Sequence, residues 1–487
     1  MEILTSCNLA SISPYEPSDT NPWDIQKVKH VYRRLDYGAT DATLNIGVLS
    51  TPSELIDTLI QEAIDKPNPS QPEWAFWNLN NYTDFNEENN GQISDWYSQT
   101  SIDFISGSLK NRLAFFWFNH FVTQLEVYFY APYLYQYWDL MHTHALGNFR
   151  DFVSAVGKSS AMLLFLNGFE NTNNSPNENY ARELYELFTL GENNGYTQMD
   201  IEETSRALTG YNHFGGGVTG NPITFDDSTF DDSLKIIFEQ EGTWGYDDVI
   251  TILFEQKADL IAPFICEKLY NYFVSPDTNQ DIVNEMAATF LANDFEIAPV
   301  LTQLFKSEHF YDIDAIGHVI KSPYDLTSTF IREIGLQYDN TDNQFSNFII
   351  YLNDITGQDI FQPPDVAGWQ RNRDWINSST ISGRWEGIRI ILYNFWNLDQ
   401  EQFRNFAINL SGDSNDPALI TRSIIDFFMS RSLHTETDYD IATTVFRWEI
   451  PDNYYDDGIW NLGWDSAPYQ VLLLMFHIST MPEFQLK

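Results

Sequence analysis

Along most of the chain apolar residues return every three to four positions, the spacing of amphipathic helices rather than the alternation of strands. The pattern predicts helices over residues 23–35, 52–65, 101–125, 132–155, 158–168, 176–190, 198–209, 247–273, 280–291, 296–306, 322–335, 380–396, 418–429 and 467–480. Strand alternation is confined to a small hairpin around 211–240. Connectors rich in Asn, Asp and Gly separate the helices at 84–92, 211–233, 338–344, 411–417 and 451–458. The expected fold class is mainly α: a multi-helical globular bundle with long Asx/Gly-rich loops and at most a small β-hairpin. Residues 1–396 read as the helical core. Residues 397–487 read as a peripheral segment ending in a C-terminal core helix, the two forming one integrated unit.

The densest set of polar residues lies at 176–210. Ser175 is a good N-cap, Pro176 takes the first helical position, and Glu178 falls three residues after the cap, the spacing of a capping box. This helix is expected to run to about Leu190 and stop at Gly191. Asn194-Gly195 then makes a turn, Thr197 with Asp200 caps a second helix, and Gly210 ends it. Asn179, Glu183 and Glu186 share one face of the first helix, and Arg182 stands four residues before Glu186. One reading is a solvated ion pair contributing ~0.3–0.5 kcal/mol. The other is a buried carboxylate–arginine network in which Glu183 pairs with Arg206 across antiparallel helices. Spacing alone favours the solvated pair. Asn119 and His120 fall inside the aromatic run of 111–124, where a histidine is more often a satisfied core residue than a ligand.

Composition narrows the partners. Hydrophobic residues are 43% of the chain and aromatics 16%, which suits a globular protein. A formal charge of −43 leaves nothing to neutralise nucleic-acid phosphate or an anionic membrane surface. Two cysteines, Cys7 and Cys266, make no disulfide framework. No apolar run reaches the ~18 residues of a membrane span. No secretory signal is visible, so the expected location is the cytoplasm, or outside by export with a partner. Leu4-Thr5-Ser6-Cys7 has the form of a lipoprotein cleavage site with no signal before it. Gly215 to Gly220 matches G-x-G-x-x-G by count but follows a helix, which argues against a dinucleotide site. Asn86-x-Glu88-x-Asn90-Gly91 imitates half an EF-hand with Tyr97 at the position of its glutamate, so ordinary loop chemistry is expected there. No cofactor is expected, though Asx-rich loops leave room for a surface calcium. Trp96, Trp369 and Trp375 would serve glycan binding if exposed; core packing is the favoured reading.

A series of motifs runs through the chain in order: Ser13-Pro14-Tyr15, His30-x-x-Arg33-Arg34-x-x-Tyr37-Gly38, Phe116-Trp117-x-Asn119-His120-Phe121 and His144 to Arg150. Asn177 to Glu183, Arg206 to Gly210, Lys268-Leu-Tyr270, Lys321-Ser-Pro323, Pro363 to Trp369, Trp375-Ile-Asn377 and Pro482 to Gln485 follow. In these the chain closely resembles domain-of-unknown-function family 1800. The resemblance implies a mainly α-helical bacterial protein of bacteroidetes-like type, and as partner a sulfatase-like protein of domain-of-unknown-function family 1501, often encoded beside it. Relatives commonly carry histidine where this chain has Phe118 and Phe230, and glycine at Ser233. If those histidines formed one site, it has decayed here, and no stoichiometric transition metal is expected. The leading expectation is a non-catalytic or catalytically degraded partner or scaffold subunit. The alternatives are a glycan-binding protein and a hydrolase-like enzyme using Asn119, His120, Arg182, Glu183, Glu186 and Arg206.

Overall fold

Local signals in the sequence set many of the helix starts. Reciprocal capping boxes open the helices Pro52–Asp65 (Thr51 with Glu54), Gln198–Ala207 (Thr197 with Asp200) and Pro323–Ile334 (Ser322 with Asp325). The computed structural model describes residues 11–487, and over them the chain forms 23 α-helices and two antiparallel two-stranded sheets. Tyr211–Phe214 pairs with Ile223–Phe225, and Lys235–Ile237 with Gln240–Gly242. The fold is mainly α, as the periodicity implies, with two short hairpins in place of one. The Leu4–Cys7 motif lies outside the described residues. Among the described residues no helix is long and apolar enough to cross a membrane.

Several boundaries differ from expectation, each for a local reason. Gly107, at φ 73°, ends the helix Phe85–Ser106, and Ser108 caps a new one, Leu109–His120, so residues 101–125 are not one helix. Residues 132–155 divide into Ala131–Thr143 and Phe149–Gly157, where Asn148 caps the second. Residues 247–273 divide into Tyr246–Gln256 and Ala258–Phe273. The supposed connector 84–92 opens a helix: Asp84 accepts a hydrogen bond from the Glu87 amide at 3.2 Å. Asn86, Glu88 and Asn90 are therefore helical, not a loop of either kind. Residues 397–465, weakly patterned, hold the helices Glu401–Ser411, Pro417–Phe428 and Glu436–Phe446.

The helical hairpin also departs at its start. The Asn171 side chain accepts from the Asn177 amide at 2.9 Å, and the Asn173 amide donates to the Thr229 carbonyl at 2.8 Å. These bonds fix residues ahead of the helix in a loop, so it begins at Asn179 and Ser175 does not cap it. From Leu184 to Thr189 it widens into a π-helix before stopping at Leu190.

Buried ions link distant parts of the chain. Arg33 meets Glu333 through two hydrogen bonds of 2.5 and 2.8 Å, with their side chains 1% and 2% exposed. Arg33 also donates to the Phe427 and Phe428 carbonyls and to Ser430. Lys29 donates to the Asp426 carbonyl at 2.6 Å. Burying such a pair costs desolvation, which the full set of hydrogen bonds offsets. The result joins the helices Ile25–Leu35, Pro323–Ile334 and Pro417–Phe428.

Candidate functional site

The six residues singled out from sequence do not converge on one point. Arg182 lies 3.0 Å from Glu178 and 3.2 Å from Glu186, with its side chain 38% exposed. This is the solvated pair, which contributes little to stability. Arg206 binds Glu203 and Asp231, each at 2.8 Å, and also Ser233. Glu183 is half-buried; burial and then the Glu186 charge raise its pKa, while Arg182 pulls it down. The expected Glu183–Arg206 pair does not form, because Asp231 on the loop before Lys235 takes the guanidinium.

His120 instead completes the π-helix. A π-turn leaves carbonyls without their usual amides. The His120 Nε2–H donates to the Phe188 carbonyl at 3.0 Å, Lys268 to Leu187 at 3.4 Å, and Thr189 Oγ1 to Leu184 at 2.5 Å. Burial, reinforced by the Lys268 charge, holds His120 well below its ordinary pKa and keeps the ring neutral. His144 stacks on Phe152 at 5.1 Å rather than joining it. Phe118 is buried against Tyr137, Trp138, Phe361 and Trp369, whereas Phe230 packs on Phe225 and Lys235. The two positions lie in different surroundings, which removes the basis for treating them as one decayed site. Trp96, Trp369 and Trp375 are 4%, 4% and 8% exposed, too buried to form a surface platform for a glycan.

Asn119 leads elsewhere. Its Oδ1 accepts from the Trp369 amide at 2.7 Å. Gly368 sits at φ 84°, and a Cβ there would stand 2.3 Å from Asn119 Oδ1, so only glycine allows this approach. The contact positions one wall of a cleft of about 260 Å³ between the helices Leu109–His120, Ala258–Phe273 and Pro323–Ile334. Phe115, Phe116, Tyr272, Val319, Ile320 and Trp369 supply apolar surface. Asp325, Arg371 and Lys487 supply charge.

The electrostatics of this cleft invert those of the chain. Among the described residues Asp325 is the only side-chain carboxylate in the lining, and it contacts Arg112 at 2.7 Å and Lys487 more closely still. Burial alone would raise its pKa; the two cations more than reverse this and hold it well below the usual carboxylate range. Lys321 and Arg384 also act on Asp325. Arg112 itself is fully buried, donates to the Asp36 carbonyl at 2.8 Å, and lies 4.2 Å from the centre of the Tyr37 ring. Arg371 differs from every one of these. Its guanidinium lies 5.7 Å from the centre of the Phe116 ring and, among the described residues, makes no ion pair or hydrogen bond. Burial lowers its pKa from the ordinary guanidinium value, with Tyr272 opposing. Burial, aided by the Arg371 charge, lowers the nearby Lys268 amine to about 7.

Sequence reasoning reached Asn119, Lys268, Trp369 and Trp375 through motifs, but passed over Asp325, Arg371 and Lys487. Arg371 did carry a signal, lying between two tryptophans of adjoining motifs. A family model described as "Protein of unknown function (DUF1800)" matches residues 30–486. No curated protein and no solved structure matches the chain.

Proposed function

We propose that this chain, which belongs to the DUF1800 family over residues 30–486, binds a small molecule in the cleft lined by Trp369 and holds it without transforming it. The commitment of the cleft's carboxylate carries this reading. A general base needs both reach and a pKa near the working pH. Asp325 is already paired with Arg112 and Lys487 and is held far too acidic. His120 is engaged with the π-helix and buried. What remains in the lining is apolar wall, the Arg371 guanidinium and the Lys487 amine, which burial lowers to about 7 and which Asp325 holds, the make-up of a binding site. A chain that retains a ligand unchanged suits the partner or scaffold role implied by the family resemblance, with a protein of family 1501 as the candidate partner.

Asn271 lines the cleft, and among the described residues its side chain bonds only to Thr278, at 3.0 Å, so Asn271→Trp fills the space at small structural cost. Ligand-observed NMR with a small-molecule library should find binders to the wild type that the variant loses. Mass spectrometry should recover those binders unaltered after long incubation. Binders indifferent to Asn271→Trp would refute the cleft as the site, and chemical conversion would refute holding without turnover.

A further inference from the structure

We propose that the ligand of this cleft carries an oxyanion (carboxylate, sulfonate or phosphate) on a small flat apolar body, and that Arg371 is the residue that reads it. This rests on the cleft being the binding site. The chain has 69 acidic residues against 26 Lys and Arg, so an arginine with no protein carboxylate needs a reason. Arg33 pairs with Glu333, Arg112 with Asp325, Arg206 with Asp231 and Arg332 with Asp36. Arg384 and Arg431 make no ion pair among the described residues but donate to backbone carbonyls, and Arg373 is exposed to water. Arg371 is buried beside the Phe116 ring and Tyr272, and among the described residues its guanidinium has no acceptor.

Its segment is anchored on both sides. Asn119 holds Trp369 at 2.7 Å, and Asn372 Oδ1 accepts from the Ile320 amide at 3.1 Å. With its backbone placed by these neighbours and its guanidinium over the Phe116 ring, Arg371 presents free N–H groups for the paired hydrogen bonds that a planar or tetrahedral oxyanion accepts. Arg112 and Lys487 already balance Asp325, the one side-chain carboxylate in the lining among the described residues, so the Arg371 charge is left to favour an anion although the whole protein is strongly acidic. The volume of about 260 Å³ falls just below that of drug-sized pockets. A single ring with one charged group fits it, and the rings of Phe115, Tyr272 and Trp369 supply flat apolar contact.

The test titrates benzoate, benzenesulfonate, phenyl phosphate and neutral benzamide into the full chain by ligand-observed NMR. At least one anion should bind, benzamide should bind more weakly than that anion, and the tightest anion names the head-group class. Arg371→Gln should weaken anion binding by roughly ten- to a hundredfold, and Arg371→Lys by less. Arg373→Gln, at an exposed neighbour, should change nothing. Benzamide binding as tightly as the anions, or Arg371→Gln leaving affinity unchanged, would overturn the proposal. Should Arg371→Gln fail to fold, the wild-type comparison of charged and neutral probes decides. Neutral ligands lost on Asn271→Trp would leave the binding cleft standing while this inference falls; no probe seating in the cleft would remove both.

Discussion

Replacing Glu333 with Ala removes one side of a pair that sits in the middle of the fold. Arg33 would lose hydrogen bonds of 2.5 and 2.8 Å while remaining 1% exposed. Lys29 and Lys321, whose amines burial already lowers, are held up in part by the Glu333 charge, so its loss would depress both further. Breaking a buried pair from one side costs ~3–5 kcal/mol. Replacing both partners, Arg33→Met with Glu333→Leu, removes the uncompensated charge. It still orphans the Phe428 carbonyl at ~1 kcal/mol, while the Phe427 carbonyl keeps Lys29 at 3.3 Å. The double variant should therefore be less destabilised than Glu333→Ala alone. Urea unfolding followed by tryptophan fluorescence measures both. A loss under ~1 kcal/mol for Glu333→Ala, or a double variant as costly as the two single changes added, would refute the reasoning.

Two further outcomes follow from the cleft. Gly368→Ala should cost more than ~1 kcal/mol, since the residue sits at φ 84° and its new Cβ would meet Asn119 Oδ1 at 2.3 Å; by displacing Trp369 it should also abolish ligand binding, read by the same unfolding and NMR titrations. Anion affinity should be highest below pH 7 and fall as pH rises through about 7, because the bound anion favours the protonated amines of Lys268, beside the cleft, and Lys487, in its lining, both lowered by burial to about 7. Lys268 faces Arg371 and His120, which disfavour its charge or are disfavoured by it, and Glu267, which favours it. Lys268→Met should make the fall shallower and leave the part that Lys487 contributes, measured by titration at several pH values. The same lowered amine binds fewer protons in the folded chain, so its contribution to stability should rise with pH between about 7 and 10.5.

Much of the helical framework was legible because it is written locally. Thr51 with Glu54 and Thr197 with Asp200 place caps within four residues, and both helices start where those pairs require. The same grammar misled at Ser175-Pro176-Asn177-Glu178. There the Asn171 and Asn173 contacts come from tertiary structure and hold the segment as a loop. The π-helix at Leu184–Thr189 leaves no periodic trace, since it depends on Lys268, His120 and Thr189 donating to its carbonyls from three directions. Glu183 and Arg206 looked complementary on helical geometry, but Asp231, twenty-five residues beyond Arg206, claims the guanidinium. The cleft is assembled from residues between Phe115 and Lys487, so no window of sequence contains it. Its parts were visible only as separate motifs: Asn119 beside His120, Gly368-Trp369, Trp375 and the Lys321 turn.

The central claim is that an anionic small molecule sits between Arg371 and the aromatic wall. Anomalous diffraction from crystals soaked in 4-bromobenzoate tests it most directly, because bromine locates the ring and the density locates the carboxylate. The account predicts a bromine peak inside the cleft, within ~4 Å of the Tyr272 or Trp369 ring, with the carboxylate on the Arg371 guanidinium. A bromine peak elsewhere with the cleft empty, or a ring in the cleft with its carboxylate turned away from Arg371, would contradict it.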